Sequence, residues 1–449
     1  MEILLIAIFL GIGLGLIAGM LPGIGNTITM LAMLPIVAQW PAEIIIIFYA
    51  VMIQCSNFTS SVSSLNLGVL GDITGEPALR ERAHIITNHL TSSALKYSAI
   101  GSVVACTVGL ILFYILVDWF YAIPFMLRSE TKFLLLWTIL IATVWWPRNN
   151  KITNGTLIVV GFILSIIGHH EFFWSSSDVH ILTFGMTEIY GGIPSLAVLT
   201  AFLAIPALLK LYHSLSDIKS NKSITTKKIT EPSHKFNWPS SVRGSIIGIV
   251  LGVIPMVGTM ICSNVAWAIE KFMSKNKTEN QQSLNRLLAA ESANNSAAIT
   301  VLIPLLLLGL AIIPSEMILL SALETLNWLP GKSSWTFLGF GFYHWLFVSL
   351  LSACAVSYAF CYTFVIPFSK FFYNHMKALM WLTILLILSS VYYTGWLVDN
   401  RIFFLLCFCF LSCIVLFLYR HVEFMPLVAG FLLGDSVIEA SRIVYNLHF

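Results

Sequence analysis

The chain has 449 residues, 58% of them hydrophobic and only 10% charged, with a net charge of +3 and a mean hydropathy of +0.87. Soluble domains carry about 25% charged residues, so this composition excludes a water-soluble globule and gives no case for nucleic acid as a partner. It predicts an all-α polytopic protein in contact with membrane lipid, with room for roughly 10–13 membrane segments of about 20 residues.

The N-terminal run MEILLIAIFL lacks the basic region of a signal peptide and reads as the first membrane helix, residues 3–21. Gly11, Gly15 and Gly19 recur every fourth residue and share one face, a stripe that lets another helix approach closely. Pro22 and Gly23 then break the helix; Gly25, Asn26 and Thr27 follow, and a short apolar run from Ile28 to Val37 begins. Backbone groups freed by such a break need partners, so it should face protein or a watery cavity. After an apolar run at 43–53 comes an uncharged amide- and hydroxyl-rich run from Gln54 to Ser64, which includes Asn57, Thr59 and Ser60. A polar segment covers 80–96, and apolar spans follow near 97–117, 133–146 and 156–168. His169, His170, Glu171, Asp178 and His180 crowd the next loop, but their spacing fits no standard metal site. Residues 181–212 carry Glu188 and a break at Gly191–Pro194.

Residues 213–243 form a basic linker rich in Ser, Thr and Lys, which the positive-inside rule puts in the cytoplasm. It separates a first transmembrane repeat, 1–212, from a second, 244–449. The second opens on Gly244, Gly248, Gly252, Pro255 and Gly258, spaced as Gly11, Gly15, Gly19, Pro22 and Gly25 are. Thr259 follows, then a polar segment at 271–286 that reads as a loop, then Glu291 and the run Asn294, Asn295, Ser296. That run reads as the counterpart of Gln54–Ser64. Further spans fall near 335–366, 378–397 and 401–419, and Gly430, Gly434, Asp435 and Glu439 interrupt the last apolar run. The eight cysteines form no CxxC pair; Cys407, Cys409 and Cys413 read as small residues of an apolar helix.

Internal repeats with broken helices at matching positions point to a secondary transporter whose site lies at the repeat interface. A helix that restarts inside the membrane offers unpaired N–H groups and the positive end of its dipole to an anion. The candidate substrate-binding residues are therefore Pro22, Gly23, Gly25, Asn26, Thr27, Asn57, Thr59, Ser60, Gly258, Thr259, Asn294, Asn295 and Ser296. They suit a small anionic, oxygen-rich solute. Glu291 is the foremost ion-coupling candidate, with Glu188 and Asp435 behind it. No metal and no cofactor is expected beyond a coupling H+ or Na+. Gly-x-Ser-x-Gly, HExxH and aspartate-dyad patterns are all missing from the sequence, so an enzyme is not expected. The two halves are expected to be inverted, with the break-containing helices re-entrant. The alternatives are a stand-alone carrier or channel for another small anion and a transport-inactive membrane scaffold.

The pattern GxxxGxLPGxG near the N-terminus, the same stripe after the basic linker, and E-x-A-N-N-x-A followed by IPLLLLG resemble the large permease subunit of the tripartite tricarboxylate transporters. LTFG at 182–185 and the C-terminal LVAGFLLGDSVIEASR add to the likeness. The second break departs from it, with Met256 where the family usually has a glycine. The resemblance implies ion-coupled uptake of di- or tricarboxylates across a bacterial inner membrane. It also implies two partners, a small four-helix membrane subunit and a periplasmic binding protein.

Overall fold

The computed structural model describes residues 2–448 apart from 22–24, 68–72, 127–128, 146–148, 169–181, 191, 255–257, 310, 312, 325, 327, 329–331, 398–400 and most of 207–234. The breaks at Pro22–Gly23 and Pro255–Met256, the histidine-rich loop and most of the basic linker lie outside those residues.

Every extended element among the described residues is helical. In order they are α1 (Glu2–Met20), α2 (Gly25–Val37), α3 (Ala42–Leu67), α4 (Glu76–Thr87), α5 (Thr91–Met126), α6 (Ser129–Thr143) and α7 (Lys151–Ile166). Next comes α8 (Ser195–Leu199), which opens after Pro194 and runs into a π-helical turn, Thr200–Ala204. The second half holds α9 (Trp238–Gly252), α10 (Thr259–Met273), α11 (Glu279–Thr300), α12 (Leu302–Leu308) and α13 (Pro314–Glu324). It ends with α14 (Lys332–Thr363), α15 (Val365–Asn374), α16 (Met376–Leu397), α17 (Arg401–Leu418) and α18 (Met425–His448).

Four stretches are long and apolar enough to cross a bilayer: Glu2–Met20, Ala42–Leu65, Thr91–Ile115 and Gly341–Thr363. Six shorter apolar helices accompany them, among them Gly25–Val37 and Ile402–Leu418. The chain is thus an all-α polytopic membrane protein. The broken units are short: α9 and α10 have 15 residues each, about 22 Å at 1.5 Å per residue against a hydrocarbon core of about 30 Å.

The core is organised on α3, which is buried on all sides. α1, α5 and α14 pack against it, and α11 crosses it. Such enclosure is what allows Gln54, Ser56, Asn57, Thr59, Ser60, Ser61, Ser63 and Ser64 to ride on one membrane-depth helix. α11 has α5, α9 and α10 around it.

Two readings of the second half are corrected. Residues 271–286 are not a loop: only 274–278 leave the helical path, and Thr278 caps α11 by accepting a bond from Gln281 N at 3.4 Å. The polar residues of 279–286 coat the first turns of a helix, so Glu291 sits beyond the middle of a 22-residue helix. At the C-terminus α18 runs unbroken through Gly430 and Gly434, which are notches: a methyl group there would collide with the Ile158 carbonyl and the Ser165 side chain of α7.

Candidate functional site

The site grows out of two glycine contacts. On α1, Gly11 faces Phe48 and Val51 of α3, Gly15 faces Met52 and Cys55, and Gly19 faces Ser56 and Thr59. On α9, Gly244 faces Ala289 of α11, Gly248 faces Ala293 and Ser296, and Gly252 faces Ala297 and Thr300. In both pairs the helices run parallel, one glycine per turn, with backbone against backbone. The hydroxyls of the partner helix close each contact: Thr59 Oγ1 donates to Leu16 O at 3.1 Å, and Ser296 Oγ donates to Ser245 O at 3.0 Å.

These contacts fix which residues of the halves correspond. Gly15 meets Met52 and Gly248 meets Ala293, so Gln54 and Asn295, two positions further on, are equivalents, as are Thr59 and Thr300. The two equivalents are bonded to each other: Gln54 Nε2 donates to Asn295 Oδ1 at 3.0 Å. Asn295 Nδ2 donates onward to Ser102 Oγ of α5 at 2.7 Å and to the Glu291 carbonyl at 2.9 Å. The same register sets Glu291 against Ala50, so the acid has no mate in the first half.

A second strand of the network joins Glu291 to Ser98 of α5, whose Oγ lies 3.2 Å from Ser61 Oγ of α3. Beyond these bonds the buried polar atoms run out of protein partners. Both side-chain atoms of Asn294 are unpaired, as are Asn57 Nδ2, Ser56 Oγ, Ser64 Oγ and Glu291 Oε2. Glu291 and Asn294 are 1% exposed and stand three residues apart, away from the glycine-facing positions Ala289, Ala293 and Ala297. A buried polar group left unpaired costs about 1–3 kcal/mol. Such a cluster is what a site looks like when its partner is a solute, an ion or water.

The remaining expected residues are placed as follows. Gly25 opens α2 in a left-handed conformation (φ +54°), which favours glycine. Asn26 is buried beside it and Thr27 is half-buried. Gly258 precedes α10 and abuts Ile313, and Thr259, its first residue, is buried. Ser60 Oγ bonds to the Asn57 carbonyl at 3.0 Å. Pro22 and Gly23, and the side chains of Glu188 and Asp435, lie outside the described residues.

Sequence reasoning missed Gln54's bond, Ser98 and Ser102. The signal was present: Ser98, Gly101, Ser102 and Gly109 form a small-residue stripe on α5, and Gly101 and Gly109 pack on α11. It also missed the link between the halves on α4. Glu81 accepts from Arg286 Nε at 2.6 Å and Nη2 at 2.8 Å, from Ser283 Oγ at 2.7 Å and from Trp267 Nε1 at 2.8 Å. Burial alone would raise the Glu81 carboxyl; the guanidinium, hydroxyl and indole donors outweigh it and hold the group below the ordinary carboxylate range. Around this cage Asn264 donates to Glu76 at 3.1 Å, and the Arg80 guanidinium lies 5.1 Å from the Trp267 ring. Arg243 and Glu270 tie α9 to α10 with a second ion pair, in which the carboxylate is buried and the guanidinium half-buried.

These links orient the two central helices. Gln54 meets Asn295 near the middle. Arg82 of α4 bonds to the Leu65 carbonyl at the end of α3, while Glu81 reaches Ser283 and Arg286 at the start of α11. α3 and α11 therefore run antiparallel.

The model of the Tripartite tricarboxylate transporter TctA family matches residues 5–429. Two relatives come from Agrobacterium vitis. An uncharacterized 52.8 kDa protein in the TAR-I ttuC' 3' region is 24% identical over 330 residues, 72% of this chain and 64% of the relative. An uncharacterized protein in the TAR-II ttuC' 3' region is 36% identical over 85 residues, 19% of this chain and 35% of the relative. The chain thus covers less than two thirds of the length of either. No solved structure matches.

Proposed function

The chain belongs to the tripartite tricarboxylate transporter TctA family, and on that footing we propose that it is the permease of an ion-coupled uptake system for small di- or tricarboxylates in a bacterial inner membrane. A small membrane subunit and a periplasmic binding protein are its proposed partners. The observation that carries the reading is the partnerless face formed by Asn294 and Glu291 beside the Gln54–Asn295 crossing. Packing two helices needs none of those groups, and a carboxylate-bearing solute with its water would satisfy them. A mostly uncharged set of ligands also suits a solute that must be released, because desolvated ion pairs are costly to make and break.

We propose further that the two halves are inverted. Parallel α1–α3, parallel α9–α11 and antiparallel α3–α11 support that reading, as does the bond between the equivalents Gln54 and Asn295. An inverted pair with its site at the crossing is suited to alternating access. Labelling of single cysteines introduced at 3 and 225 tests the inversion: opposite sides are expected, and a common side rules it out.

The test of transport is uptake of labelled di- and tricarboxylates into vesicles bearing the protein, with and without proton or sodium gradients. Asn294→Ala and Gly25→Leu should each reduce it. If no carboxylate moves in the wild type together with its partner subunits, the reading fails.

A further inference from the structure

Glu291 is more than a polar group near the site. The residue is 1% exposed, its side-chain bond goes to the Ser98 hydroxyl, and Oε2 has no partner. Among the described residues, the titratable and charged groups on the surrounding elements offer it no positive charge. Cys361 of α14 is close enough to feel it, and Cys55 of α3 lies beside Cys361. Tyr49 of α3 donates to the Met30 carbonyl. On α5, Lys96 stands over the ring of Tyr362, and Cys106 lies with Cys354. Arg243 of α9 is held by Glu270 of α10, Lys271 of α10 lies on the Trp267 ring, and Arg286 of α11 itself is held by Glu81 of α4.

An isolated carboxylate in such a setting carries a desolvation cost that one hydroxyl does not offset. A hard cation would relieve it, but hard cations gather several oxygen ligands. Asn295 Oδ1 is already taken by Gln54, which leaves Asn294 Oδ1 as an unpaired amide oxygen on the Glu291 face, and one amide oxygen beside one carboxylate falls short of such a shell. Among the described residues no group of acids, histidines and cysteines is disposed to hold a metal ion.

We propose that Glu291 is the proton carrier of this permease. It is protonated in the closed arrangement seen here and exchanges its proton with water on one side and then the other as the α3–α11 crossing opens. One proton is taken up and one released per cycle, and no bond to the solute forms. The inference rests on the transport reading and deepens it by choosing H+ over Na+.

Two measurements test it separately from that reading. The first needs no substrate. Infrared spectra of the purified protein at neutral pH should contain the carbonyl stretch of a protonated carboxyl, shifted in heavy water and missing in Glu291→Gln. A spectrum unchanged by the substitution overturns the proposal. The second uses the permease with its partner subunits in sealed vesicles. A one-unit pH difference should drive about tenfold accumulation of a labelled carboxylate per proton carried. Glu291→Gln should remove the dependence on the pH difference, and Glu291→Asp should restore it with a displaced pH midpoint. Accumulation driven by a sodium gradient with no accompanying proton movement, or a pH dependence intact in Glu291→Gln, overturns the assignment. Failure of the wild type to move any carboxylate, with the infrared band present, counts against transport and leaves the protonated Glu291 standing.

Discussion

The two glycine-striped pairs, α1 on α3 and α9 on α11, are built alike and furnished differently. Each brings three glycines, one per turn, onto a partner backbone, and each seals the third contact with a threonine, Thr59 or Thr300. The partner faces diverge. α3 offers Phe48, Val51 and Met52 to its stripe, whereas α11 offers Ala289, Ala293 and Ala297. With small residues on both sides, the second pair sits closer at its first contact. A methyl group on Gly11 would stand 3.0 Å from the Phe48 carbonyl, while on Gly244 it would overlap the Ala289 carbonyl outright. The second pair also holds an acid near the crossing, Glu291, whose register partner in the first pair is Ala50. The two pairs thus share a way of packing while their chemistry differs.

The largest expected effects fall on the stripes. Gly19→Ala and Gly248→Ala drive a Cβ into a carbonyl and a hydroxyl, and each should cost about 3 kcal/mol or more of stability. Gly11→Ala should cost at least about 1 kcal/mol less than Gly244→Ala, since only the first neighbourhood has room to yield. Gly13, on the open side of the same helix, has nothing near it. Gly13→Ala should stabilise by up to about 1 kcal/mol through helix propensity. Thermal unfolding in detergent measures all five, and equal costs at Gly11 and Gly244 would break the contrast between the pairs.

Next comes the link between the halves. Arg286→Ala leaves the enclosed Glu81 carboxylate without its cation and should cost about 3 kcal/mol. The cage also sets a pH dependence. Because the folded Glu81 carboxyl lies below its unfolded range, its contribution is complete above the ordinary carboxylate pKa of about 4.3. It is lost as the pH falls through the lower folded value. Stability profiles from neutral to acidic pH should therefore show a steeper acid loss in wild type than in Glu81→Gln.

Smaller effects are expected at the crossing and at the rim. Asn295→Ala removes bonds to Gln54, Ser102 and the Glu291 carbonyl, whereas Gln54→Ala removes one, so the first should cost roughly 1–2 kcal/mol more. A double-mutant cycle should give a coupling of about 1 kcal/mol between them. Last is Arg80, paired with Glu76 one turn away and 43% exposed; Arg80→Ala should change stability by less than about 1 kcal/mol.

Much of this arrangement is legible in the sequence. The stripes declare themselves by their spacing, and the helix boundaries at Gly25 and Thr259 follow from the prolines before them, Pro22 and Pro255. The register between the halves does not. Composition pairs the Gln54–Ser64 run with Glu291–Ala298 as blocks, and only the contacts reveal that Gln54 answers Asn295. Ser98 and Ser102 vanish inside an apolar span because one hydroxyl per turn barely alters hydropathy. The polar stretch 279–286 reads as a loop because glutamine, asparagine and serine equally suit the wetted first turns of a capped helix. Glu81 and Arg286 stand far apart in sequence, and nothing local announces that they meet.

The α4 cage also bears on how the protein is made. Synthesis runs from the N-terminus, so Glu81 is threaded to the membrane surface long before Trp267, Ser283 and Arg286 leave the ribosome. Until they do, α4 has lost its principal ligands and Gln54 faces no amide. The first half is therefore an unfinished assembly that waits for the second, open to proteases at α4 in the meantime. Fragments 1–225 and 226–449, co-expressed, should recover each other, and the first alone should be cleared; persistence of the lone fragment would show that it completes its own fold.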